Sequence, residues 1–261
     1  MVVSSDCMKK ATATSHGSRR RMVPVGGAVL GMSGDMVIPL YDNDPFEAPF
    51  RPYVTWSLIA LNLLAFFAEL ASPDTEALTS TWGVTPVAIT SAPVVASVHA
   101  YATLFTGMFL HGGWLHLLGN MIYLQIFGDD IEEALGRGRF LLFYLLSGLG
   151  AALVYIASNP SSATPMIGAS GAIAGVLAAY LMLKPCAKVT ILVFYRVIRL
   201  RAMWAIGLWA ALQLLDFMFA DGGDDVAYSA HFGGLLAGAF LFFILRPSHV
   251  AFFECLEGDA P

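Results

Sequence analysis

The chain has 261 residues, of which 57% are apolar and 13% charged, with a net charge of −5 and a mean hydropathy of +0.68. Ordinary soluble domains carry roughly 25% charged residues, so this composition excludes a disordered chain and all but excludes a soluble enzyme. With no basic face beyond a short N-terminal cluster, nucleic acid is excluded as a partner.

Residues 1–35 are rich in Ser, Gly and basic side chains, with few acids, Asp6 and Asp35. Arg19, Arg20 and Arg21 precede only a short apolar run, a weak signal-peptide pattern. A mitochondrial-type presequence would need an amphipathic face that is not evident, and Met36 is an alternative start. The segment reads as a disordered part of a cytosolic tail, 1–51.

Beyond it, Lys and Arg leave three windows empty: 52–136, 140–183 and 202–245. Each has room for two helices of the roughly 20 apolar residues needed to cross about 30 Å of hydrocarbon. The expected spans are Val54–Ala71, Leu115–Ile131, Phe140–Ser158, Ile167–Leu183, Ala202–Phe219 and Ala227–Leu245. The fold class is therefore an all-α polytopic bundle of six transmembrane helices, residues 52–246. Loops 72–110, 159–166 and 220–226 carry Asp74, Glu76, Asp221, Asp224 and Asp225 but no Lys or Arg. Positive-inside bias then places both termini in the cytosol, with 247–261 a second cytosolic tail.

Two apolar stretches are not counted as spans. Pro86–Leu110 reads as a loop on or partly in the outer face, because a seventh span would move Arg137 and Arg139 outside. Val189–Tyr195 is too short to cross and reads as an interfacial strand or turn between Lys188 and Arg196. Cys7, Cys186 and Cys255 show no disulfide or metal spacing, so reduced thiols are expected.

Ionisable and hydrogen-bonding groups inside spans are costly and mark function by default. Three places qualify. In His111–Asn120, His116 and Asn120 share one helix face and each offers an N–H donor, suited to holding an oxygen. The same pair could equally serve helix packing. In Gly168–Gly175, Ser170 lies between glycines at a helix start, where its own N–H is an unpaired first-turn donor. That suits a nucleophile beside an oxyanion donor, though small-residue packing produces the same string. In Ala230–Gly238, His231 is followed by Gly234-x-x-x-Gly238, which lets a neighbouring helix approach closely.

Depth links the last two. Ser170 lies fourteen residues before Lys184 and His231 fifteen before Arg246, so each is about 21–22 Å of helix from a basic anchor. Both come to one level, roughly 10 Å below the outer boundary of a 30 Å core. A helix beginning that deep needs a wet cavity or protein around its end.

The pattern His111-x4-His116-x3-Asn120, Gly168-x-Ser170-Gly171, Ala230-His231-x2-Gly234-x3-Gly238 resembles the rhomboid intramembrane serine proteases. The resemblance covers about residues 52–246 and extends to Glu132, Gly136 and Arg139 between the second and third spans. It implies Ser170 as nucleophile and His231 as general base, with His116, Asn120 and the Ser170 N–H holding the oxyanion. It implies no cofactor, no metal and no third acid. Asp216 reads as a solvated helix end, His111 as a lining residue, His99 and His249 as loop or tail. Two departures stand out. Ala102 and Thr103 occupy the place of a Trp-Arg pair that shapes the outer loop in relatives. Ala174 stands where some relatives place a Tyr against the base, so packing, including the glycines, must position His231.

The implied partners are the lipid bilayer and single-pass transmembrane protein substrates, cut near the outer face. The alternative is a non-proteolytic rhomboid-like chaperone or dislocation factor, though such relatives typically lack the Ser or the His. A transporter would explain intramembrane His and Asn but not Ser170 at the depth of His231. With no clear presequence or appended domain, a bacterial inner membrane is the expected location.

Overall fold

The computed structural model describes residues 37–42, 50–91, 97–193, 196–219, 228–253 and 255. The expected 1–35 tail, Cys7 and the acidic 220–226 loop lie outside the described residues. Six helices of 14–22 residues form a bundle: α1 (Tyr53–Ala71), α5 (Trp114–Leu135), α6 (Arg137–Ser158), α7 (Ser170–Leu183), α8 (Ala202–Phe219) and α9 (Tyr228–Leu245). Between α1 and α5 lie the short helices α2 (Thr75–Trp82), α3 (Pro86–Thr90) and α4 (Ser97–Thr106). The region read as an outer loop is thus made of helical pieces far too short to cross a bilayer.

Helix α7 is the axis of the bundle. Every residue from Gly171 to Tyr180 is buried, the pattern of a helix surrounded by protein. The outer helices are also apolar, but on their exposed faces. Leu64 of α1 is 66% exposed, Trp204 of α8 63% and Phe240 of α9 65%. An apolar exterior on this scale faces lipid, because water would drive it to associate. Helices α1, α6 and α9 are each long and apolar enough to cross a membrane; α7 and Ala202–Met218 of α8 are apolar but shorter.

One end of the bundle gathers the charges. Near the end of α5, Glu132 is fully buried and accepts the Val54 and Thr55 N–H groups at 3.0 and 2.7 Å and the Thr55 hydroxyl at 2.8 Å. It thereby caps the first turn of α1, whose N–H donors would otherwise be unpaired. Gly136, at φ +77°, ends α5 and starts α6, a left-handed conformation that favours glycine. Arg137 next to it lies 4.7 Å over the Tyr53 ring. Lys184, after α7, reaches Asp130 of α5 at 3.4 Å.

Three antiparallel strands follow the same end: β1 (Val37–Asp42), β2 (Lys188–Val193) and β3 (Arg196–Arg201), in the order β1-β2-β3. The short apolar run after Lys188 is therefore a strand. It pairs with β3 in register Lys188↔Arg201 and on its other side with the N-terminal segment.

The cysteines correct an expectation. Cys186 and Cys255 form a disulfide, with Cα atoms 5.2 Å apart, inside the span a bridge requires. The chain turns back after α9, and the Phe253 N–H donates to the Met182 carbonyl at 2.8 Å. That contact brings the two thiols together across 69 residues of sequence, a distance no local spacing pattern reveals.

Candidate active site

Helix α7 begins late because the chain before it is held extended. Met166 and Val84 exchange backbone hydrogen bonds, both 2.9 Å, and the Gly168 N–H donates to the Gly107 carbonyl at 2.8 Å. Gly168 has φ +118°, and a Cβ there would lie 2.7 Å from the His116 ring. Only glycine satisfies both the backbone and the ring. Ser170 is then the first residue of α7, three residues later than the apolar run suggests. Its hydroxyl stands at the open end of a helix whose first N–H groups have no intrahelical partner.

His231, in the first turn of α9, meets it. Its Nε2 is 2.8 Å from Ser170 Oγ. Glycines on both helices set the spacing. A Cβ on Gly234 would overlap the Gly171 carbonyl oxygen, and one on Gly238 would overlap the Gly175 Cα. Gly171 and Gly175 on α7 therefore face Gly234 and Gly238 on α9. Each pair is one turn apart, and backbone touches backbone.

The other expected residues come from α5. His116 lies against Gly168, and its ring centroid is 5.1 Å from that of His111. His111 is buried; its backbone N–H donates to the Glu69 carboxylate at 3.1 Å. Asn120 is 6% exposed, and its Nδ2 has no hydrogen-bond partner among the described residues. A buried amide donor without an acceptor is costly, and a developing oxyanion is one partner that would satisfy it. His99 sits in α4, 2.9 Å from the Thr81 carbonyl.

Two contacts were not foreseen from the sequence. His231 Nδ1 lies 2.5 Å from Gln213 Oε1, and the Trp209 ring lies 6.0 Å from the imidazole, tilted by 41°. Both residues are on α8, one turn apart. The glycines thus set the spacing of α7 and α9, while the imidazole itself is contacted from α8. The signal was present in part: Gln213 is the sole amide in an apolar span, the kind of residue that marks a site.

Comparison with known proteins decides the kinship. The model of the rhomboid domain matches residues 98–248, more than half of the chain.

The chain belongs to the rhomboid family.

It is 37% identical over 149 residues to RHOMBOID-like protein 5 of Arabidopsis thaliana, covering 56% of this chain and 45% of that protein. It is 32% identical over 193 residues to rhomboid protease GluP of Bacillus subtilis, covering 73% of this chain and 34% of that one. Rhomboid-like protease 5 of Toxoplasma gondii is 31% identical over 144 residues, covering 55% of this chain and 16% of that protein. The chain spans less than half the length of these relatives. Kinship and apolar helices together make it a multi-pass integral membrane protein. Relatives from a bacterium and from plants, two of the latter named mitochondrial and one chloroplastic, do not single out the bacterial inner membrane expected above.

Proposed function

We propose that this rhomboid is an intramembrane serine endopeptidase that cuts single-pass transmembrane proteins near the outer membrane face. The observation that carries the proposal is the 2.8 Å contact between Ser170 Oγ and His231 Nε2. It joins two helices otherwise in glycine contact, and an Asn120 amide without a partner among the described residues sits on the neighbouring α5. In this reading residues 52–246 are the membrane domain with six spans, and the basic end with both termini faces the cytosol.

Ser170 Oγ attacks the carbonyl carbon of the scissile peptide as His231 Nε2 takes its proton. The tetrahedral oxyanion is held by N–H groups of His116, Asn120 and the Ser170 backbone, each worth about 10²–10³ in rate. Collapse breaks the C–N bond, and His231 returns its proton to the leaving amine. Water then attacks the acyl-enzyme, gives a proton to His231, and releases the acid as Ser170 recovers its hydrogen. The depth of Ser170 requires a wet pocket around the start of α7. A helical substrate hides its carbonyls in its own hydrogen bonds, so helix-breaking residues near the outer face favour cutting.

The test is cleavage of a model transmembrane substrate by purified protein, with a fluorophosphonate probe alongside. Ser170→Ala should abolish labelling and lower cleavage by about 10³-fold or more. Cleavage that persists in that variant would overturn the nucleophile. An intact protein that neither labels nor cuts, yet binds the substrate span, would favour the non-proteolytic chaperone reading.

A further inference from the structure

We infer that Gln213 is a positioning residue for this reaction, fixing the tautomer and rotation of His231. The inference rests on the dyad proposed above and deepens it. A neutral imidazole carries one N–H and one lone pair. A base that takes the Ser170 proton needs the lone pair on Nε2, so the hydrogen must be on Nδ1. Nδ1 lies 2.5 Å from Gln213 Oε1, and a carboxamide oxygen accepts but cannot donate. In the other tautomer two acceptors would face each other at that distance. With its oxygen turned to Nδ1, the amide favours the reactive form and turns its lone pair toward Ser170; the reverse flip would present the NH2 group and favour the other tautomer.

The surroundings support a dedicated role. Gln213 is buried on a helix whose other polar side chain is Asp216, three residues on. An amide in such a place is stabilised only by a partner, and His231 is that partner. Trp209, one turn earlier, lies beside the same imidazole. Consecutive turns of α8 thus limit the ring plane and its rotation. A neutral acceptor fits a span better than a carboxylate, which would bring a charge into a low-dielectric interior. Of the titratable groups on the packed elements, His116 of α5 is in electrostatic reach of the imidazole. Tyr155 of α6 packs on Ala230 and donates to the Thr164 carbonyl at 3.2 Å.

The test uses the full chain in proteoliposomes with a transmembrane substrate. Gln213→Met keeps the length and removes the acceptor; Gln213→Glu keeps an acceptor and adds charge. The Met variant should lose about 10–100-fold in kcat with KM unchanged, and should stay folded with a modestly lower melting temperature, because the Nδ1–H loses its acceptor. The Glu variant should recover kcat at high pH and move the acid limb of the pH profile upward, because a carboxylate holds the imidazolium. Nitrogen-15 NMR of labelled histidine should show a hydrogen-bonded Nδ1–H in the parent and the Glu variant, and lose it in the Met variant. Parental kcat in a folded Met variant, or an unmoved acid limb in the Glu variant, overturns the inference. Should the Met variant fail to fold, the Glu profile decides alone. Cleavage surviving Ser170→Ala fails the dyad itself; the imidazole spectrum, which needs no turnover, reads the Gln213 contact separately.

Discussion

Two of the seams that α9 makes with its neighbours, those with α7 and α8, are built differently. Against α7 it presents Gly234 and Gly238, and main chain meets main chain with no room for a methyl group. Against α8 it meets long side chains, Trp209 and Gln213 at His231 and Phe217 stacked on Phe232 at 6.0 Å. The first seam sets a distance, because backbone positions cannot adjust without moving a helix. The second sets an orientation, because side chains rotate. The proton transfer proposed between Ser170 and His231 would need both, and in that reading the task is divided between two interfaces.

This contrast can be broken at either seam. Gly234→Val should have the largest effect. Its Cβ would overlap the Gly171 carbonyl oxygen, so either the helices part or the fold fails, at about 3 kcal/mol. Loss of folded protein together with fluorophosphonate labelling is the expected reading; a stable and active variant would show that the seam is soft. Trp209→Leu should come next, at about three- to tenfold in cleavage rate, the scale of one lost ring contact, with labelling of Ser170 slowed in parallel. The smallest effect, of opposite sign, is expected at Gly207 of α8, where an added Cβ meets nothing within 4 Å among the described residues. Gly207→Ala should raise stability by about 0.5–1 kcal/mol and leave cleavage unchanged, as thermal unfolding and a rate measurement would show.

Charge placement made the long helices legible before any coordinates. The run Ala202–Phe219 is a helix with those limits, and α1, α6 and α9 begin or end within three residues of the expected bounds. Helix α7 deviates at its start, since Met166 and Gly168 are committed to pairing with Val84 and Gly107, a long-range demand that hydropathy does not contain. Helix α5 runs past Ile131 to Leu135 because Glu132 caps α1 and Asp130 meets Lys184; acids that look like a loop by composition are satisfied by neighbours. Ser170, His231, His116 and Asn120 stand out as candidates in the sequence because each is a polar exception among apolar or small residues. The partnership of Gln213 could not, since which way α8 turns its one amide depends on packing rather than on local pattern.

The Cys186–Cys255 bond ties the far ends of the two helices that bear the hydroxyl and the imidazole, on the side where the arginines and lysines collect. Thiols there are sentinels of the fluid that bathes them: glutathione-rich compartments keep such pairs open, and oxidising ones keep them shut. Mass-tagging free thiols in intact cells, with Cys7 replaced, would therefore act as a compass, reporting from within the native membrane which way the molecule is threaded.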